Sequence, residues 1–154
     1  MPADSFGLEP YLYEHIPLSQ HLGVRVQEAT TDIVRLFAPL EPNLNHRRTG
    51  FGGSISALAI LAGWSLLWCR LRDRTGGHNI VIQKNTIDYL APVTADFTAT
   101  CTAPSADRWD RFIRSFDQRG RGRVELRAEV HVEDRLVATF DGMFVVLGGP
   151  QPGS

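Results

Sequence analysis

The stretch Asn45-His46-Arg47-Arg48-Thr49-Gly50-Phe51-Gly52-Gly53-Ser54 is a polar loop ending in glycines. It runs directly into Ile55-Ser56-Ala57-Leu58-Ala59-Ile60-Leu61-Ala62-Gly63-Trp64, which is almost wholly apolar. The second segment reads as a helix. The first amides of such a helix have no intrahelical acceptor and carry the positive end of its dipole. Glycine at 52 and 53 removes the side chains that would keep another molecule's oxygen away from those amides. A carbonyl or an enolate oxygen is the kind of group this place holds. The loop does not match the phosphate-binding patterns: there is no Gly-x4-Gly-Lys-Ser/Thr, and Gly50-Phe51-Gly52 lacks the third glycine of a dinucleotide fingerprint.

The elements that must position this loop follow from periodicity and punctuation. Leu8–Ile16 reads as a short amphipathic helix stopped by Pro17, and a further turn ends at Gly23. Residues 24–28 and 33–40 read as strands around a Thr31-Asp32 turn, and 39–50 as a loop. The central helix is expected from Gly52 to Arg72, ending before Gly76-Gly77. Strands are expected at 78–90, closed by Pro92, and at 96–102. Trp109, Phe112, Ile113 and Phe116 mark one face of a helix with Ser105 as its cap. In 124–133, apolar and charged residues alternate strictly, which predicts a half-buried antiparallel strand, and 135–147 returns after the Glu133-Asp134 turn. The tail 148–154 is expected to be disordered, leaving 1–147 as a single domain. One long apolar helix among strands requires a sheet to cover it. The fold class is therefore α+β, and a buried helix is favoured over a membrane span because 55–69 falls short of the roughly 20 residues needed.

The chain has 154 residues, a net charge of −1, two cysteines and five scattered histidines. This balance gives no support to nucleic-acid binding, and no spacing suggests a metal site. Cys69 and Cys101 read as buried, reduced thiols. No signal peptide is visible at the N-terminus, so a cytoplasmic protein is expected. Arginines cluster at 47–48, 70–74 and 119–123, either as solvated charge or as a surface for an acidic or phosphorylated partner.

The loop and helix resemble the active-site segment of hotdog-fold acyl-CoA thioesterases, in which a curved antiparallel sheet wraps one central helix. In that superfamily an asparagine precedes a His-Gly-Gly by six residues. Here Asn45 takes the asparagine position, Phe51 the histidine position and Gly52-Gly53 the two glycines. A closer likeness is to the family named for the C-terminal domain of YiiD. It is carried by "APLEPNLNHRRTGFGGSISALAILAGWSLL", by "DYLAPV" and by a Trp-x-x-Phe helix leading into "RGRGRVEL". That resemblance implies an acyl-thioester enzyme without a cofactor, acting on a coenzyme A or acyl carrier protein (ACP) thioester, and a homodimer whose pairing into tetramers is left open.

Two reactions fit. Hotdog thioesterases of this type place Asp or Glu nine residues after the histidine, and here that position is Ile60; the helix has no carboxylate before Asp73. Hydrolysis needs a base or nucleophile, whereas decarboxylation of a malonyl thioester needs only stabilisation of the enolate. The resemblance therefore implies a malonyl-ACP decarboxylase that makes acetyl-ACP. Gly52 and Gly53 would supply the oxyanion donors, and Asn45 would donate to the thioester oxygen or fix the carboxylate's rotation. Phe51 and Ser54 would line the substrate site. The alternatives are a thioesterase using Asn45 with Asp88 or an ordered water, and an acyl-binding module without turnover. His46 reads as an acid or an exposed loop residue, Asn45 also as a loop stabiliser, and the glycines also as packing positions. Arg119, Arg121 and Arg123 stand where hotdog enzymes contact pantetheine or coenzyme A phosphates, and otherwise read as a solvated turn.

Overall fold

A helix that is apolar on every side is stable only if it is covered on every side. Here α3 (Gly52–Leu71) is such a helix, and one antiparallel sheet wraps around it. The computed structural model describes residues 4–74 and 78–148. Along the chain, α1 (Leu8–His15) and α2 (Leu18–Leu22) precede β1 (Arg25–Ala29) and β2 (Ile33–Ala38). A 3-10 turn at Glu41–Asn43 leads to the glycine loop and α3. Then follow β3 (His78–Tyr89), β4 (Phe97–Thr102), α4 (Ala106–Arg119), β5 (Arg121–Val132) and β6 (Arg135–Gly148). The strand order is β1-β2-β4-β5-β6-β3, and α3 packs against all six strands. This is the expected α+β architecture, a curved sheet around one central helix.

The alternation in β5 buries Gly122, Val124, Leu126, Ala128 and Val130 and turns the intervening charged residues outward. The core joins these to Leu58, Leu66 and Leu67 of α3 and to Phe140 and Phe144 of β6, all buried. Helix and sheet approach closely at Gly63, where a Cβ would lie 2.7 Å from Phe144 Cζ. Opposite, a Cβ on Gly142 would lie 2.5 Å from Phe140 Cζ, so the two phenyl rings occupy space that only glycine leaves open. The indole of Trp64 donates to Ile80 O at 3.0 Å, fastening α3 to β3. The helix is long and apolar enough to cross a membrane by length and composition, being five residues longer than the 55–69 stretch read from sequence; in the fold it is the core helix.

Several expectations need adjusting. β5 begins at Arg121, not Val124, so Arg121 and Arg123 are strand residues and only Gly120, at φ 71°, makes the turn. Ser105 does cap α4, accepting from Arg108 N at 3.3 Å. The arginines at 70–74 are structural. Arg70 lies 4.3 Å over Trp109 and donates to Thr31 O, Arg72 stacks 3.9 Å over Phe6, and Arg74 pairs with Asp117. Gly148 ends β6, with its N–H on Gly120 O, so it is not part of a tail. The expected helix stop at Gly76-Gly77 and the rest of the tail lie outside the described residues. Cys69 and Cys101 are free and buried, and burial pushes each thiol up to about 12; at Cys69, Arg72 opposes that rise and Asp4 adds to it.

Candidate active site

The loop 44–50 is held as a small closed hairpin. Leu44 and Gly50 form an antiparallel bridge, Asn45 N donates to Thr49 O at 2.7 Å, and Arg48 takes a left-handed conformation at φ 64°. Asn45 organises this turn from its centre. Its Oδ1 accepts from Arg47 N at 2.8 Å and from Thr49 N at 3.1 Å, an Asx-type turn. Its Nδ2 donates to Thr49 Oγ1 at 2.9 Å and, by a long bond of 3.4 Å, to Gly50 O. One carboxamide proton is therefore weakly engaged, and that is the capacity available to a ligand.

Beyond the loop, Gly50 N donates to Val93 O and Phe51 N to Asn43 O, both at 2.7 Å. Asn43 is itself buried and donates to Leu22 O and Pro39 O, so it anchors the approach to the helix. The loop is thus pinned on both sides, to the segment after β3 and to the segment after β2.

Phe51 is the N-cap of α3 and offers no side-chain cap. Its carbonyl accepts from Ser54 N at 3.0 Å and Ile55 N at 3.1 Å. Among the described residues, the N–H groups of Gly52 and Gly53 have no acceptor. Two bare donors at the positive end of a twenty-residue helix can hold an oxyanion. The Phe51 ring, half exposed, lies over Gly53, where a Cβ would be 2.5 Å from Phe51 Cε2. Ser54 is half-buried in the same turn. Gly52, Gly53 and Ser54 thus form the first turn of α3 with Phe51 as its N-cap, and the Asn45 turn leads directly into it through Gly50.

Other sequence candidates fall elsewhere. His46, Arg47 and Arg48 are exposed on the turn. Ile60 lies two turns into α3, which has no carboxylate from Gly52 to Leu71. Asp88 is exposed on the face of β3 opposite to Tyr89, the neighbour that reaches Gly52, so within one subunit it points away from the site. Arg119, Arg121 and Arg123 line a groove of about 360 Å³ with Gln83 and Ser115. Arg123 is level with Val145 of β6 and Tyr89 with Ala138, seven residues apart, or roughly 24 Å at strand spacing. One subunit does not bring these arginines to the glycine loop. No three or more His, Cys, Asp or Glu side chains converge as a metal site among the described residues.

Sequence reading missed two residues that hold the backbone at the head of α3, Asn43 and Tyr89. Tyr89 Oη donates to Gly52 O at 2.8 Å. The only signal for it was its place in "DYLAPV", which reads equally well as a strand end.

Residues 6–148 match the family described as "Putative thioesterase (yiiD_Cterm)". A protein of unknown function from Chlorobaculum tepidum TLS has a solved structure with a TM-score of 0.85. It is 28% identical, over 92% of this chain and 93% of that one. A structure described as a putative thioesterase from Shewanella oneidensis is 30% identical over 93% of this chain and 95% of that one, with a TM-score of 0.78. A thioesterase from Haemophilus influenzae shares the fold at 17% identity, with a TM-score of 0.68 over 89% and 87% of the two chains.

Proposed function

This chain belongs to the YiiD C-terminal family of thioesterase-like hotdog proteins, and on that premise we propose that it decarboxylates malonyl-ACP to acetyl-ACP. The observation that supports this reading is a pair of unpartnered glycine amides at the head of a helix with no carboxylate along it. In the proposed reaction the thioester oxygen sits on the Gly52 and Gly53 N–H groups. The bond between the α-carbon and the carboxylate breaks, its electron pair enters the thioester as an enolate, and carbon dioxide leaves. Water then returns a proton to the α-carbon. The glycine amides carry the charge that develops on the oxygen, the step to which oxyanion donors contribute most. Asn45 Nδ2 exchanges its long bond to Gly50 O for one to the substrate. The exposed Phe51 ring shields the site, and Ser54 faces the acyl group.

Hydrolysis of acyl-CoA or acyl-ACP thioesters is the second reading, and the family's description favours it. It would use the same oxyanion donors, with an ordered water and no side-chain base on α3.

The assembly proposed is a homodimer through β3. That strand has β6 on one side and, among the described residues, no strand on the other; Val81 and Tyr89 are exposed along it and Leu90 just beyond its end. An open edge of this length is a template for a second strand. Antiparallel pairing of two β3 strands reverses one against the other. The arginine end of one subunit then stands level with the glycine loop of the other, where phosphates of the carrier arm would pass. The test is direct: malonyl-ACP and a panel of acyl-CoA thioesters are incubated with the protein. Carbon dioxide with the thioester intact supports decarboxylation, and free thiol overturns it in favour of hydrolysis.

A further inference from the structure

We propose that Tyr89 is a positioning residue, aiming and strengthening the Gly53 N–H donor; this rests on reading Gly52 and Gly53 as the oxyanion donors. The Tyr89 hydroxyl donates to Gly52 O at 2.8 Å. The Gly52 carbonyl and the Gly53 N–H are opposite ends of one planar peptide unit. A bond that fixes the direction of the oxygen therefore fixes the direction of the N–H.

This peptide needs an outside restraint. It joins two successive glycines, the residues with the widest backbone freedom, at a helix end whose N-cap gives no side-chain bond. Among the described residues, neither glycine N–H is held by an acceptor. The Phe51 ring restrains Gly53 by packing, and Tyr89 restrains the peptide from the other side, its Oη 3.3 Å from where a Gly52 Cβ would stand. Tyr89 is itself firmly based. It pairs with Ala138 at the end of β3, and the next two amides, Leu90 N and Ala91 N, both donate to Val137 O. The sheet thus reaches across to set the first peptide of the helix.

The bond also has an electronic effect. Donation to a peptide oxygen draws density from its nitrogen and makes the N–H a better donor, by roughly 10–30% per bond. A tether that only joined strand to helix would not depend on the acidity of the phenol; a tether that tunes Gly53 does.

The experiment uses the full chain with Tyr89→Phe and with 3-fluorotyrosine, a stronger acid, placed at position 89 alone. Turnover of malonyl-ACP and acyl-CoA is measured, together with the Gly53 amide proton resonance in the substrate-free protein. In Tyr89→Phe, kcat falls about ten-fold, less than the 10²–10³ lost with a whole oxyanion donor, and KM stays within about two-fold. The Gly53 proton moves upfield in the phenylalanine variant and downfield with fluorotyrosine, which retains full kcat. An unchanged Gly53 resonance in either variant overturns the proposal, as does a rise in KM with kcat intact. If the native protein turns over neither substrate, the enzymatic reading fails, while the Gly53 resonance still decides whether Tyr89 sets that peptide. Should Tyr89→Phe not fold, the fluorotyrosine protein carries the same test.

Discussion

The Asn45 carboxamide builds the turn, and the proposed reaction calls on the same group to meet the substrate. The two demands can be separated. Asn45→Asp keeps an oxygen for Arg47 N and Thr49 N and removes the amide donors, so the turn survives while kcat/KM falls about 100-fold, as for other lost oxyanion donors. Circular dichroism and thermal melting check the fold, and near-normal activity would take Asn45 out of the mechanism. His46→Ala should leave kcat within about two-fold, because the imidazole is exposed on the turn and the reaction calls for no side-chain proton transfer. For the same reason kcat should be flat from about pH 6 to 9, and a bell-shaped profile would indicate a titrating acid and base. At this scale the sequence was legible where the structure is local: Asn45, Gly52 and Gly53 lie within nine positions, and the structure sets them on one turn and the helix start that follows it. Tyr89 was not legible, because it meets Gly52 from 37 residues away and bonds a backbone oxygen, which leaves no trace in residue type.

Among the elements, α3 and the strands facing it form a tightly packed core. The Gly63–Phe144 and Gly142–Phe140 contacts leave no room for added volume. Gly142→Ala should therefore destabilise the fold by about 1–3 kcal/mol, read as a lower urea midpoint. Ser65 is a weak point in the same helix, fully buried with no partner for its Oγ among the described residues. Ser65→Ala should raise stability by about 1 kcal/mol, through relief of desolvation and better helix propensity; a loss would mean that the hydroxyl has a partner. The two thiols add a pH dependence. Each is raised from 9.0 to about 12 by burial, so between those values the folded state binds more protons than the unfolded one, and stability falls as pH rises through that window. Below it the thiols are protonated in both states, and native protein at pH 8 should resist thiol reagents that label the urea-unfolded chain within minutes. Helix and strand identities were legible from periodicity. The start of β5 was not, because Gly120 and Gly122 look alike in sequence. Gly120 turns the chain, while Gly122 is a strand residue that makes room for Phe112, whose Cδ1 would be 2.8 Å from a Cβ there. Only tertiary packing distinguishes them.

For the whole molecule, strand order was the least legible property. The pairing of β3 with β6, and not with a neighbour in sequence, is a long-range choice that alternation within each strand does not encode. It leaves β3 at an edge of the sheet, and in the proposed homodimer that edge would bring the glycine loop of one subunit level with the arginine groove of the other. Sedimentation should therefore give a mass of about 34 kDa, twice the 17.1 kDa chain, and a monomer retaining full activity would contradict an assembly in which one subunit's arginines serve the other's site. The proposed decarboxylation turns on which bond breaks, so the deciding experiment follows carbon dioxide and free thiol together while the protein acts on malonyl-ACP. Carbon dioxide and acetyl-ACP should form in equal amounts with no free thiol. Free carrier thiol without carbon dioxide would rule out decarboxylation and identify a hydrolase.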